Sequence, residues 1–211
     1  MGGTGDIGEG MALRFSQRRP VIVGSREEEK AVTCCESCEI TLEQKGLSCT
    51  LQGATNQEAI DKSDIVILAI PFQHLVPTLS GLHGFEGKVV VTPVNPIRRS
   101  EYFAYAPPPQ GSAALLIREM LPANASVCAA FNNIAANSWR ALDESLDYSV
   151  VVCGDNPEAK RKVMDLASSV PHLQPLDGGP LGAASMVESI TPLLLTIARY
   201  NHLKDVGVRF G

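Results

Sequence analysis

Three glycines near the start of the chain, Gly3, Gly5 and Gly8, stand at the G-x-G-x-x-G spacing of a turn that wraps a pyrophosphate. At that spacing the first glycine makes the tight turn, the second lets phosphates approach the backbone, and the third lets a helix pack on a sheet. The N–H groups at the start of that helix then face the anion. About 20 residues on, an NAD site would carry a carboxylate for the ribose 2′-OH. Here Ser25 and Arg26 occupy that place, with Lys30 one helical turn later. A hydroxyl, a guanidinium fork and an ammonium attract a 2′-phosphate that a carboxylate would repel. The pattern predicts an NADP site. The alternative is a solvated helix start in which Glu27, Glu28 and Glu29 pair with those cations.

Two other constellations offer chemistry. Cys34, Cys35 and Cys38 cluster on a helical stretch, and Cys49 could complete a metal set, but the second CxxC or His pair of a structural zinc site is missing. No metal is expected. Tyr200 and Lys204 spell the Y-x-x-x-K pair of short-chain dehydrogenases, displaced here to the last dozen residues. No nucleophile–base triad is evident.

Strands and helices alternate along the chain, which predicts a mostly parallel sheet covered on both faces. Helices are expected over 7–15, 26–45, 56–62, 71–79, 112–121, 136–142, 157–168 and 184–202, the last with Pro192 in its interior. Strands are expected over 20–23, 48–51, 64–70, 88–92, 126–130 and 149–153, with an edge strand at 173–176. In such a sheet the glycine turn follows a central first strand, yet only Met1 precedes Gly2. The strand is expected to be absent, leaving its neighbours' backbone groups unpaired and a charged α-amino group beside the turn. A natural start a few apolar residues earlier would supply it.

Net charge is −5 and aromatic residues make up 5% of the chain, which argues against a nucleic-acid face or base-stacking platform. Apolar runs such as 65–70 are too short to span a bilayer. Six cysteines with no secretory signal pattern point to a reducing, cytoplasmic setting.

Several blocks together carry a family resemblance: Gly2-Gly3-Thr4-Gly5-Asp6-Ile7-Gly8, Val23-Gly24-Ser25-Arg26, Ala69-Ile70-Pro71-Phe72-Gln73-His74, Pro175-Leu176-Asp177-Gly178-Gly179-Pro180-Leu181 and Met186-Val187-Glu188-Ser189-Ile190-Thr191-Pro192-Leu193. Over essentially its whole length the chain resembles the F420-dependent NADP oxidoreductases of archaea and some actinobacteria. The resemblance implies a Rossmann-like, doubly wound α/β domain over 1–178 and a small, mainly helical segment over 179–211 closing the F420 cleft. It implies hydride transfer between C5 of the deazaflavin F420 and C4 of the nicotinamide, which needs two rings held face to face and little acid–base help.

Carried over position by position, Thr4, Gly5, Asp6 and Ile7 would bind the pyrophosphate, and Ser25, Arg26 and Lys30 the 2′-phosphate. Phe72 and Val76 would line the adenosine side, and Asn95 and Ala136 the nicotinamide end. Asn132, Asn133, Ile134 and Ala135 would floor the cleft for F420. Phe72 and Val76 at i, i+4 fit plain core equally well, and Asn132 and Asn133 fit a turn. The apolar C-terminal helix suits a homodimer. Readings of other classes are an NADP-sensing protein without turnover, and an NADPH-dependent reductase with a flavin or ferric acceptor.

Overall fold

The computed structural model describes residues 1–204 and 206–211. The glycine turn leads into α1 (Asp6–Phe15), whose buried face includes Met11, Ala12 and Phe15. It is followed by β1 (Val21–Ser25), α2 (Glu28–Gln44) and β2 (Leu51–Thr55), and Gly46 closes α2 in the left-handed region at φ 68°. The strand expected over 48–51 therefore lies a few residues later. Two contacts set that register. A Cβ on Gly53 would fall 2.5 Å from the Val32 amide, so a glycine is needed where the strand crosses α2. Thr55 then caps α3 (Asn56–Asp61) in a reciprocal box with Glu58.

The remaining elements are β3 (Ile65–Ile67), α4 (Phe72–Leu79), β4 (Val89–Thr92), β5 (Ile97–Arg99), β6 (Phe103–Tyr105), α5 (Ala113–Met120), β7 (Ser126–Ala129), α6 (Ala136–Arg140), β8 (Ser149–Gly154), α7 (Pro157–Ser168), β9 (Gln174–Asp177) and α8 (Ala184–Asn201). The β5–β6 hairpin is new relative to the sequence reading. Pro96 and Pro107 flank it, and an alternating apolar pattern is too short to register over three residues a side.

The principal sheet has the order β3-β4-β7-β8-β9, and β1-β2 form a separate pair. The β1–β2, β3–β4, β4–β7 and β8–β9 ladders are parallel. β8 runs antiparallel to β7, because the short α6 and its loops do not carry the chain back to the other end of the sheet. Helices cover both faces. One core cluster gathers Leu68, Leu75, Val90, Ile117 and Leu181, and a second surrounds Phe15, Phe131 and Trp139.

Between β1 and β3 lies a slot of about 440 Å³, lined by Val21, Ile22 and Val23 on one side and Ile65, Val66 and Ile67 on the other. The expected central strand would occupy this space. Met1 makes a short bridge across its end: its amine donates to Ile67 O at 2.9 Å, and Ala69 N–H donates to Met1 O at 3.1 Å. On the opposite side Gly3 N–H donates to Gly24 O at 3.1 Å. Burial holds the pKa of this amine down at about 6.

The C-terminal elements close one end. In α8 the fully buried Glu188 accepts hydrogen bonds from Ala113 N–H, Ala114 N–H and the Tyr105 hydroxyl, which joins α8 to the start of α5 and to the hairpin. The chain then returns along β8, where Ser149 N–H donates to Val208 O. With the preceding turn, α8 makes a helix over Leu181–Asn201 long and apolar enough to cross a membrane, unlike the shorter runs weighed in the sequence. Its inner face packs on α5 and the β5–β6 hairpin, with Glu188 buried between them.

Candidate functional site

In the glycine turn two glycines are required by the fold itself and the third is not. A Cβ on Gly3 would lie 2.7 Å from Val23 Cγ1, and one on Gly8 would lie 2.4 Å from Gly2 O and 2.6 Å from Gly3 Cα. Both positions are closed by the chain itself. A Cβ on Gly5 would meet nothing nearer than Gly2 O at 3.5 Å, and its φ of −89° suits any residue. The missing side chain at Gly5 therefore leaves room for a group from outside the chain. Gly5 is also the N-cap of α1 and has no side chain to satisfy the first-turn amides. Thr4, Gly5, Asp6 and Ile7 are all exposed at this tip, which fits an anion held by N–H groups and the helix dipole.

Arg140 was not placed at this tip by sequence reasoning. Its guanidinium lies 3.1 Å from Asp6 Oδ1 and 3.4 Å from Glu9 Oε1, at the start of α1. The backbone of α6 is carried there by Gly10, against which Trp139 packs, and by Arg14, which donates to the carbonyls of Ser138, Trp139, Ala141 and Glu144. No local pattern could have revealed a contact between residues more than a hundred positions apart.

Thr4, Lys30 and Thr33 line one concavity beside the turn together with the carboxylates of Glu9, Glu27 and Glu29. Ser25 ends β1, nearly buried, with its hydroxyl 3.4 Å from the Glu27 amide. Arg26 is exposed. Lys30 is paired with Glu27 at 2.6 Å, the arrangement the alternative reading described, and the ammonium holds that carboxyl below its usual range. Both side chains are 63% exposed. An exposed i, i+3 pair of this kind is screened by water and readily exchanged for a stronger anion.

Phe72, at the start of α4, is half-buried and packs on the core, whereas Val76 on the same helix is exposed. Asn95 and Asn132 bind each other: Asn95 Nδ2 donates to Asn132 O at 2.9 Å, and Asn132 Nδ2 donates to Asn95 Oδ1 at 3.1 Å. Thr191 of α8 joins them, accepting from Asn95 Nδ2 at 3.1 Å and donating to Asn132 O. The preceding Phe131 has φ 66°, a left-handed conformation unusual for an aromatic residue, so this loop is held against its own preference. Asn132 Oδ1 is buried with no donor. Asn133 points inward, its amide donating to Ser149 O at 3.0 Å, and Ile134 is buried in the second core. Ala135 caps α6 and Ala136 is its first residue. The structure thus joins Asn95, Asn132 and Thr191 in one network and commits the side chains of Asn133 and Ile134 to packing.

The rival constellations are not assembled. Tyr200 lies on α8, but the helix ends at Asn201 and His202 turns left-handed, so Lys204 does not follow it on one face. Among the described residues no three His, Cys, Asp or Glu side chains converge as a metal site, and the cysteines are free thiols.

Parallel βα units, a glycine turn capping a helix and a cationic end to the next strand together define a dinucleotide-binding protein of the α/β class. The model of NADP oxidoreductases that depend on coenzyme F420 matches residues 1–96. The F420-dependent NADP reductase of Methanocaldococcus jannaschii is 33% identical over 213 residues, covering 99% of this chain and 95% of the relative. The chain belongs to the F420-dependent NADP oxidoreductase family. In structure it is similar to a candidate F420-dependent NADP-reductase from Arthrobacter sp. FB24, with a TM-score of 0.79 at 20% identity, covering 98% of this chain and 96% of that one. A more distant relative is the metalloreductase STEAP3 of Rattus norvegicus, 28% identical over 221 residues, which cover 97% of this chain and 41% of the relative.

Proposed function

We propose that the protein transfers a hydride reversibly between C5 of reduced F420 and C4 of the nicotinamide of NADP⁺. The observation that carries this reading is the open cradle at Gly5, beside a concavity shared by Thr4 and Lys30. The two cofactors supply the redox chemistry between them, and the chain's work is to bind, orient and exclude water. The amides of Gly5, Asp6 and Ile7 hold the pyrophosphate, with Arg140 released from Asp6 to assist. Ser25, Arg26 and Lys30 hold the 2′-phosphate, Lys30 exchanging Glu27 for it. Phe72 and Val76 wall the adenosine side.

The Asn95–Asn132–Thr191 network positions the loop beneath the nicotinamide. Asn132 Oδ1, a buried acceptor lacking a donor, suits a ring or carboxamide N–H. Main-chain atoms from Asn132 to Ala136 make the floor for F420, since Asn133 and Ile134 turn their side chains inward. In this reading the protein works in the cytoplasm as a homodimer. The dimer seam is the face of α8 bearing the exposed Met186, Leu193, Ile197 and Tyr200, spaced as a helical stripe.

The test mixes the protein with reduced F420 and NADP⁺ and follows the return of the oxidised deazaflavin absorbance. Recovery with NADP⁺ and little with NAD⁺ is expected. No recovery with either nucleotide, or a preference for NAD⁺, overturns the reading. Turnover with ferric or flavin acceptors alone would move it toward the other reductase class.

A further inference from the structure

A buried acceptor without a donor also lies at the end of β1. Asn56, the first residue of α3, is 7% exposed, and its Oδ1 has no donor among the described residues. The cap beside it is already engaged. Thr55 N–H and the Thr55 hydroxyl donate to Glu58 Oε2 at 3.1 and 2.9 Å, and Glu58 N–H donates to the Thr55 hydroxyl at 3.2 Å. The β1–β2 register sets Ser25 beside Thr55, which brings Asn56 to the tip of β1. A Cβ on Gly24 would lie 3.1 Å from Asn56 Oδ1 and 3.0 Å from Ala59 Cβ. The Asn56 carbonyl therefore lies over Gly24, whose own O accepts from Gly3 N–H of the glycine turn at 3.1 Å. Gly24 stands between the turn and Asn56, and Ser25 and Arg26 follow it directly. Buried acceptors are nearly always satisfied in a folded chain, so the natural partner here is a donor supplied by a ligand.

We propose that Asn56 is a nucleotide-binding residue whose carbonyl accepts a hydrogen bond from the ribose 3′-hydroxyl on the adenosine half of NADP. The inference rests on the reading that Ser25, Arg26 and Lys30 hold the 2′-phosphate. With the 2′-oxygen esterified, the 3′-hydroxyl is the donor that remains on that sugar. A ribose joined to a pyrophosphate at Gly5 and to a phosphate at Ser25 crosses the end of β1 at Gly24, within reach of Asn56. Turning the carboxamide about its Cβ–Cγ bond, a soft torsion, brings the covered Oδ1 out to the sugar. A neutral amide suits this place. It accepts from a hydroxyl without repelling the phosphate on the adjoining carbon. A carboxylate would repel that phosphate and accept from both hydroxyls of NAD. Asn56 thereby contributes to the choice between the two nucleotides.

The experiment follows NADPH binding to the full chain by its fluorescence, and displaces it with 2′,5′-ADP or with the 3′-deoxy analogue of 2′,5′-ADP. Wild type should bind the 3′-deoxy analogue roughly five- to tenfold more weakly, the loss of one hydrogen bond. Asn56→Ala should weaken 2′,5′-ADP by a similar factor and no longer distinguish the two ligands. Asn56→Asp keeps a residue suited to the first turn of α3 and should lower the ratio of NADPH to NADH affinity at least about tenfold. Circular dichroism checks that each variant is folded.

Equal wild-type affinity for the two displacing ligands overturns the proposal, whether or not the variants fold. So does an Asn56→Ala protein that still favours the 3′-hydroxyl, or an Asn56→Asp protein with unchanged nucleotide preference. Those results leave the hydride-transfer reading standing. The expected discrimination in a protein that leaves reduced F420 unoxidised would refute that reading while upholding Asn56. A protein that binds no NADPH refutes both.

Discussion

Replacing Glu188 with alanine removes the acceptor for two buried amides at the start of α5, those of Ala113 and Ala114, bonded at 2.9 and 3.0 Å. The Tyr105 hydroxyl loses its 2.9 Å bond as well, but it retains Gly111 O within 3.2 Å and can turn to it. Two donors are therefore left bare. At about 1–3 kcal/mol for each unsatisfied buried group, the central expectation is about 4 kcal/mol. For a chain of this length each kcal/mol lowers Tm by about 2–4 °C, so a fall of roughly 8–16 °C is expected. Glu188→Gln keeps one acceptor oxygen and should lose about half as much.

The carboxyl also has a pH signature. Burial outweighs the three donors and raises its pKa above the ordinary 4.5. A raised folded pKa means that the stabilising contribution is complete below 4.5 and is lost as pH rises through the folded value. The Tm gap between wild type and Glu188→Gln should therefore narrow as pH climbs from 4.5 toward neutrality. Thermal unfolding followed by circular dichroism checks both parts. A loss under 2 °C for Glu188→Ala, or a gap that widens with pH, would refute the assignment of Glu188 as the acceptor that ties α8 to α5.

Other expectations concern the site. Gly8→Ala should lower both Tm and NADPH affinity, because its Cβ meets backbone at 2.4 Å, whereas Gly5→Ala should leave Tm within about 2 °C yet weaken NADPH binding at least about tenfold. Equal effects of the two on Tm would count against Gly5 as a ligand cradle. Arg26→Ala and Lys30→Ala should each raise the KM for NADP by roughly tenfold, from loss of one charged contact, and leave that for NAD nearly unchanged in steady-state assays. Leu193→Glu combined with Ile197→Glu should convert a dimer to a monomer in light scattering, and an unaltered mass would remove α8 as the seam.

Much of the fold was legible because the periodic signals were long. The helix at 157–168 carries a Pro at its first position and an Asn cap, and the valines of β4 and β8 sit between turn residues. The glycine turn was legible for the same local reason. Short elements and distant contacts were not. The β5–β6 hairpin has three residues a side, and β2 takes its register from the closeness of Gly53 to α2 rather than from its own pattern. Arg140 reaches the tip of α1 through the packing of Trp139 on Gly10 and the hydrogen bonds of Arg14 to the α6 segment. Asn133 and Ile134 are polar and apolar neighbours that read as loop, yet both side chains turn inward because β8 and the aromatic cluster receive them.

The gap between β1 and β3 has a mechanical consequence. The β1–β2 pair has no ladder to β3 and meets the principal sheet through Gly3 N–H on Gly24 O and through Met1 on Ile67 and Ala69. The backbone amides of Ile22 and Ile65, which face this slot, should exchange before those of Val23 and Val66, which pair with β2 and β4. A nucleotide gripping both the turn and the end of β1 would act as a clasp across this seam, so hydrogen exchange at Ile22 and Ile65 is where its arrival would register most strongly.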